Sequence, residues 1–366
     1  MSDADIVRFL WVAAVVLIVL IALILFYLVE RKILRARHRE QVAEALDWFA
    51  SPDSPLIHYL SSGERSRRLL ASGEGLRREA LEEALLKRLA VNASQIERER
   101  IYAFAADYFT EEYEELLNRR RWSDRMNVLL HIEKFHMSGM KDYLLRRLEQ
   151  LPENDRHDDE RFLLIRTLAS LNADETFQYL ELASRRFSEL QLMQTLGPLN
   201  GERLERLIRE FDQLPLRIRR CVLDTLRLSN IRTTEVLALF ERCIRSEDRE
   251  TRIRAFKALA NFGYMTSEAA DWLESSLERS DAVEWPERLM HARLAGAVRE
   301  ERFAVHLERL MADPSYEVRR EAASSLAQYR SGMERIARVA EEHPDRFARD
   351  MAVETLERRA YERNVG

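Results

Sequence analysis

Glycine and proline are scarce, ten and eight in 366 residues, where an average globular chain carries roughly 7% and 5%. Tight β-turns and phosphate-cradling loops need those residues to reach positive φ or to fix a bend. A sandwich, a barrel or a doubly wound sheet is thereby excluded, and an all-α protein is expected. Cysteine occurs only as Cys221 and Cys243, too few for a disulfide framework. Lysine is also rare, five against 53 arginines. With 58 basic and 63 acidic residues the net charge is -5, so the strongly basic field of a dedicated nucleic-acid binder is missing. There is no G-x-x-x-x-G-K-[ST], no G-x-G-x-x-G after a strand and no G-x-S-x-G, so phosphate loops and hydrolase elbows lack their sequence basis. The eight histidines are scattered. Glu133-x-x-His136 is one half-motif, where a di-iron centre needs two copies and two further glutamates. No metal, no cofactor and no catalytic residue is therefore expected.

What the chain does have is a long apolar run near its start. Phe9 to Val29 is 21 residues without a charge, enough at about 1.5 Å per residue to cross a hydrocarbon core of roughly 30 Å. Trp11 and Tyr27 stand near its ends as an interfacial aromatic belt would. A signal peptide would want a basic start, a shorter apolar stretch and a small-residue cleavage site. This chain begins with Asp3 and Asp5. Residues 1–30 are accordingly read as a short tail and a transmembrane anchor. Arg31, Lys32, Arg35, Arg37 and Arg39 follow the run, against Arg8 alone before it. The positive-inside rule then puts the N-terminus outside and the long C-terminal part in the cytoplasm of a single-pass inner- or plasma-membrane protein. In that reducing compartment both cysteines stay free, and the Asn92-Ala93-Ser94 sequon is on the wrong side for glycosylation.

Residues 31–75 read as a juxtamembrane helix, with Val42, Leu46 and Phe49 at helical spacing, and then a Ser-, Pro- and Gly-rich neck with a short helical piece around Leu56 to Leu60. Residues 76–366 alternate helix, short break, helix, with breaks at Pro152, Gly197-Pro198, Pro215, Pro286, Pro314, Gly332 and Pro344. A register appears when arginines near helix starts are aligned. Each is followed by a small or apolar residue three positions on, a small residue or threonine at six and an apolar one at seven. Arg219 (Val222, Thr225, Leu226), Arg252 (Ala255, Ala258, Leu259), Arg319 (Ala322, Ser325, Leu326) and Arg349 (Ala352, Thr355, Leu356) fit it well. Arg77, Arg125 and Arg161 fit loosely, and Arg288 poorly. The last four steps between these arginines are 33, 36, 31 and 30 residues.

A period of 30 to 36 residues, an aspartate ahead of the arginine (Asp248, Asp313, Asp345) and a stripe of small residues resemble HEAT repeats, including the HEAT-like repeats of phycobilisome lyases. The resemblance covers residues 76–361 and implies an α-solenoid whose small residues let partner helices approach closely. The repeated arginine is expected to be a structural rung, bonding carbonyls or an acid of the preceding repeat. Enzymes with such repeats offer no match. Deoxyhypusine hydroxylases hold iron through His-Glu dipeptides, and this chain has none. DNA glycosylases with such repeats need a basic aromatic face, but Trp122, Trp272 and Trp285 are far apart.

Function is therefore expected at the surface. Residues 185–220 hold eight arginines against five acids, and 266–313 hold eleven acids against six arginines. Repeat stacks make long grooves for proteins or extended peptides, and Arg203, Arg206 and Arg209 are the candidate partner surface. Arg119 to Arg121 and Arg65, Arg67 and Arg68 are candidates for anionic headgroups. The expectation is a membrane-anchored scaffold or regulatory subunit binding a membrane-associated protein, in an envelope or polysaccharide-synthesis system first. The alternatives are an enzyme using acidic groove residues and a membrane-tethered nucleic-acid binder.

Overall fold

The computed structural model is all-helical, with no strand among the described residues. It describes the backbone of residues 3–64, 75–91 and 93–365; the side chains of 3–10, 12–15, 75–77, 281 and 363–365 lie outside that description, as do Arg65, Arg67 and Arg68 entirely. The chain divides into two compact units, Met1–Met140 and Lys141–Gly366.

The first unit begins with one 48-residue helix, α1 (Asp3–Ala50), which has two characters. From Val16 to Val29 its described apolar side chains point to every side and stand 48–69% exposed. Near its C-terminal end Val42 and Phe49, seven residues and so two turns apart, are buried where α1 packs on α2 (Pro55–Ser62) and α3 (Gly75–Ala90). Six residues of the predicted 9–29 span, Phe9 among them, have side chains outside the description. Among the described residues no helical stretch is long and apolar enough to cross a membrane.

The predicted short helix in the neck is α2. Ser54 caps it, its hydroxyl accepting from the Ile57 N–H at 3.1 Å. Gly63 ends it at φ 83°, a left-handed turn that a residue with a Cβ rarely adopts. Leu56, Tyr59 and Leu60 are buried, and Arg100 of α4 (Gln95–Asn118) donates to the Leu60 carbonyl at 2.6 Å. α4 starts with a capping box between Ser94 and Glu97 and packs on α5 (Trp122–Lys134).

The second unit is a two-layer stack. Its inner row runs α7 (Asp158–Ser170), α9 (Glu189–Leu196), α11 (Leu216–Leu228), α13 (Arg249–Phe262), α15 (Trp285–Val298), α17 (Tyr316–Leu326) and α19 (Arg346–Val365), each packed on the next. The other helices are α6 (Lys141–Gln150), α8 (Leu180–Arg186), α10 (Gly201–Arg209), α12 (Thr234–Cys243), α14 (Ser267–Glu278), α16 (Ala304–Leu310) and α18 (Gly332–Glu342). The positions three after the register arginines are buried in the inner row: Val222, Ala255, Ala322 and Ala352, and in the poorly fitting copy His291. Close approach of neighbouring helices in the row needs small side chains where they touch. A Cβ added to Gly296 of α15 would fall inside the Ser325 side chain of α17 and 2.9 Å from its Cα.

Candidate functional site

The register arginines hold loops. Arg125, Arg252, Arg319 and Arg349 each give Nη1 to the two carbonyls five and six residues back. Those carbonyls end the break before each helix, where the backbone has no helical partner for them. One guanidinium nitrogen satisfies both. Arg288, despite its poor register, gives Nη1 to the Val283 carbonyl in the same way. A second set of bonds runs from one repeat to the carboxylate of the following one. Arg220 is bidentate to Asp248 at 3.0 and 2.6 Å. Arg252 is bidentate to Glu287 at 2.6 and 2.8 Å, and Arg288 to Asp313 at 2.6 and 2.8 Å. The fork of the guanidinium matches the two carboxylate oxygens. The acid thus comes from the following repeat, where the preceding one was expected. The Arg220 guanidinium and the Thr251 N–H and hydroxyl hold the Asp248 carboxyl well below the usual carboxylate range.

Ion pairing reshapes the charged surface read from composition. Of the arginines between 185 and 220, Arg185, Arg186, Arg203, Arg206 and Arg220 face acids, and Arg217 donates to the Ser184 carbonyl at 2.8 Å. Arg203 lies 3.1 Å from Asp174. Arg206 is 2.9 Å from Glu210 and stacks over the Phe177 ring at 4.3 Å. These two, expected as partner contacts, are already engaged within the protein. Arg209 is exposed and lines a cleft of about 630 Å³ between α10 and α12. Leu204, Ile208, Ile231 and Val236 form its apolar wall, with Glu205 and Glu235 beside them. Arg219 of α11 lines a second cavity together with Ala238, Glu241 and Cys243 of α12. The acidic stretch is also largely paired: Asp271 and Glu274 with Arg302, Glu284 with Arg249, Glu301 and Glu308 with Arg335.

In the first unit a cavity of about 600 Å³ is lined by Arg78, Glu79, Glu82, Glu83, Arg119, Arg121, Asp124 and His131 among others. Buried Glu82 accepts from the Tyr113 hydroxyl at 2.8 Å, and Arg78 pairs with Glu112. Burial and the Glu82 charge push the Tyr113 phenol far up, and burial pulls the His131 imidazole down. Arg119 and Arg121 thus share a wall with four acids instead of forming a basic patch. The carboxylates that shift, Glu97, Glu235, Asp248 and Glu317, all shift down, each led by a hydrogen bond. That is the opposite of a general acid held protonated.

The signature of the free arginines was hidden in the sequence because Arg203, Arg206 and Arg209 share one helix and one residue type. Only the position of Asp174, Phe177 and Glu210 separates them. Cys221 and Cys243 are buried thiols, pushed up to about 11 and about 12 by desolvation. Among the described residues no three His, Cys, Asp or Glu side chains converge as metal ligands would.

No family model matches the chain, and no curated protein matches it in sequence. Solved structures similar to it include a crystal structure of an engineered protein, 15% identical, covering 86% of this chain and 88% of that one at a TM-score of 0.32. Another engineered protein is 14% identical and covers 80% of this chain and 97% of its own, at a TM-score of 0.24. At such scores neither likeness carries an argument about fold or function.

Proposed function

We propose that this chain is a membrane-anchored HEAT-like repeat scaffold, which holds a cytoplasmic helical stack at an inner or plasma membrane and there binds a protein partner. The observation that carries the reading is the apolar cylinder of α1. From Val16 to Val29 its described apolar side chains are about half exposed or more on every side. A helix apolar all round needs an apolar surrounding, and the residues preceding it in sequence, Phe9 to Val15, extend the same run. Arg31, Lys32, Arg35, Arg37 and Arg39 follow on the same continuous helix, supporting insertion with that end inside. The cleft between α10 and α12 supports partner binding: an apolar wall of Leu204, Ile208, Ile231 and Val236 with the exposed Arg209 at its edge. Tethering confines the search for a partner to the membrane surface, so a modest affinity suffices.

The test has two parts. Full-length protein should stay in the membrane fraction through alkaline carbonate extraction, and a chain starting at residue 31 should not. Recovery of the full-length chain in the soluble fraction would refute the anchor. A photo-crosslinking residue at Ile208 should capture a reproducible partner that Arg209→Glu removes; absence of any product in intact cells would refute the binding role of the cleft.

A further inference from the structure

The exception among the register arginines marks a site. Arg125, Arg252, Arg319 and Arg349 hold the carbonyls behind them, but Arg219, at the same position of α11, donates to no carbonyl; its Nε is buried without an acceptor, as that of Arg319 is, but Arg219 has no Nη1 bond to set against it. The break ahead of it is built differently, a 3₁₀ turn (Phe211–Gln213) closed by Pro215 at the helix cap. Arg219 instead lines a cavity of about 510 Å³ with Phe211, Ala238, Cys243, Ser246, Thr251 and Ala269. Its remaining walls are charged but occupied. Arg242 lies 3.4 Å from Asp212, and Arg245 2.8 Å from Glu268. Glu241 accepts from the Thr266 N–H at 2.6 Å and hydroxyl at 3.0 Å. One guanidinium is left over, half-buried, facing a space large enough for a small organic group.

We infer that this cavity binds a carboxylate, with Arg219 as its fork-shaped partner. A planar guanidinium matches a carboxylate through two parallel N–H···O bonds. The wall formed by Phe211, Ala238 and Ala269 suits a short apolar stem. The carboxylate is that of a free organic acid or of an acidic side chain on a peptide, the chemistry being the same. The site depends neither on the anchor nor on the cleft between α10 and α12.

The experiment is a calorimetric titration of the full-length protein in detergent micelles. Its probes are the acetylated and amidated peptide Ala-Glu-Ala, its Ala-Gln-Ala counterpart, propionate and propionamide. Each pair differs only in the carboxylate. The expected result is that a carboxylate probe binds about tenfold or more tightly than its amide. Arg219→Gln should abolish that difference, Arg219→Lys should reduce it, and Arg346→Gln, at an exposed arginine outside both cavities, should leave it intact. Preference confined to the peptide assigns the site to an acidic side chain, and equal preference for propionate assigns it to a free acid. The inference is overturned if neither carboxylate binds better than its amide, or if the preference survives in Arg219→Gln. Thermal unfolding of the variants shows whether each is folded, and Arg219→Lys keeps the test decisive should Arg219→Gln not be.

Discussion

His291 offers a sharp test of how the inner row is packed. Its ring is fully buried, 4.6 Å from Phe256 and 6.4 Å from Trp272 between centroids, and neither ring nitrogen has a hydrogen-bond partner. Desolvation pulls its imidazole down from 6.5 to about 4, the nearby Glu287 charge opposing only part of that. The folded state therefore binds the proton less well than the unfolded chain. Stability from the neutral ring is complete above the unfolded value and is lost as pH falls from 6.5 toward 4. With those two values, going from roughly pH 7.5 to about pH 5 costs about 2 kcal/mol. In a unit of this size that lowers Tm by roughly 4–8 °C. In His291→Leu this loss should vanish, and the variant should gain about 1–3 kcal/mol at neutral pH because two unpaired polar atoms leave the core. The measurement is urea unfolding of both proteins at the two pH values, reading the difference between wild type and variant so that other titrating groups cancel. Parallel loss of stability in both would refute the neutral, unpartnered histidine.

Two further perturbations test the rungs and the close approach of the row. Arg319→Gln should cost about 1–3 kcal/mol by leaving the Asp313 and Pro314 carbonyls without a donor, whereas Arg219→Gln should stay within about 0.5 kcal/mol of wild type; equal losses in chemical unfolding would show that the two arginines do the same work. Gly296→Ala must push α15 from α17 and should lower stability by about 1–3 kcal/mol. Adding Ser325→Gly should recover part of it, the Cα of residue 325 still standing 2.9 Å from the added methyl, and a double variant no better than the single would remove the Ser325 side chain as the obstacle.

Much of the architecture was legible because it is local. The register of Arg252, Ala255, Ala258 and Leu259 follows from a helix period, and the structure buries the three apolar positions. Ser54 and Gly63 mark the ends of α2 by cap chemistry that needs only neighbouring residues. The Arg288 copy looks poor because His291 and Leu294 stand where the well-fitting copies have valine or alanine and a small residue or threonine, yet the helix still stacks and Arg288 still holds its loop. A polar ring fits that slot when its neighbours are rings. The expected anchor rests on the apolar run from Phe9 to Val29, and among the described residues no helical stretch is long and apolar enough to cross a membrane.

Composition and periodicity by themselves determined that the protein is helical, that its helices recur at a fixed register, and that one arginine per repeat is placed beside a loop. These are consequences of backbone geometry within a dozen residues. The tertiary structure alone decided which arginines are committed and which are free. Arg220, Arg252 and Arg288 find their carboxylates 28, 35 and 25 residues away, across the step from one repeat to the following one. Whether a guanidinium meets such a partner depends on how closely two helices stack and how the intervening turn is closed. Arg203 and Arg206 meet theirs; Arg209 and Arg219, with the same side chain and the same kind of helix, open onto cavities instead.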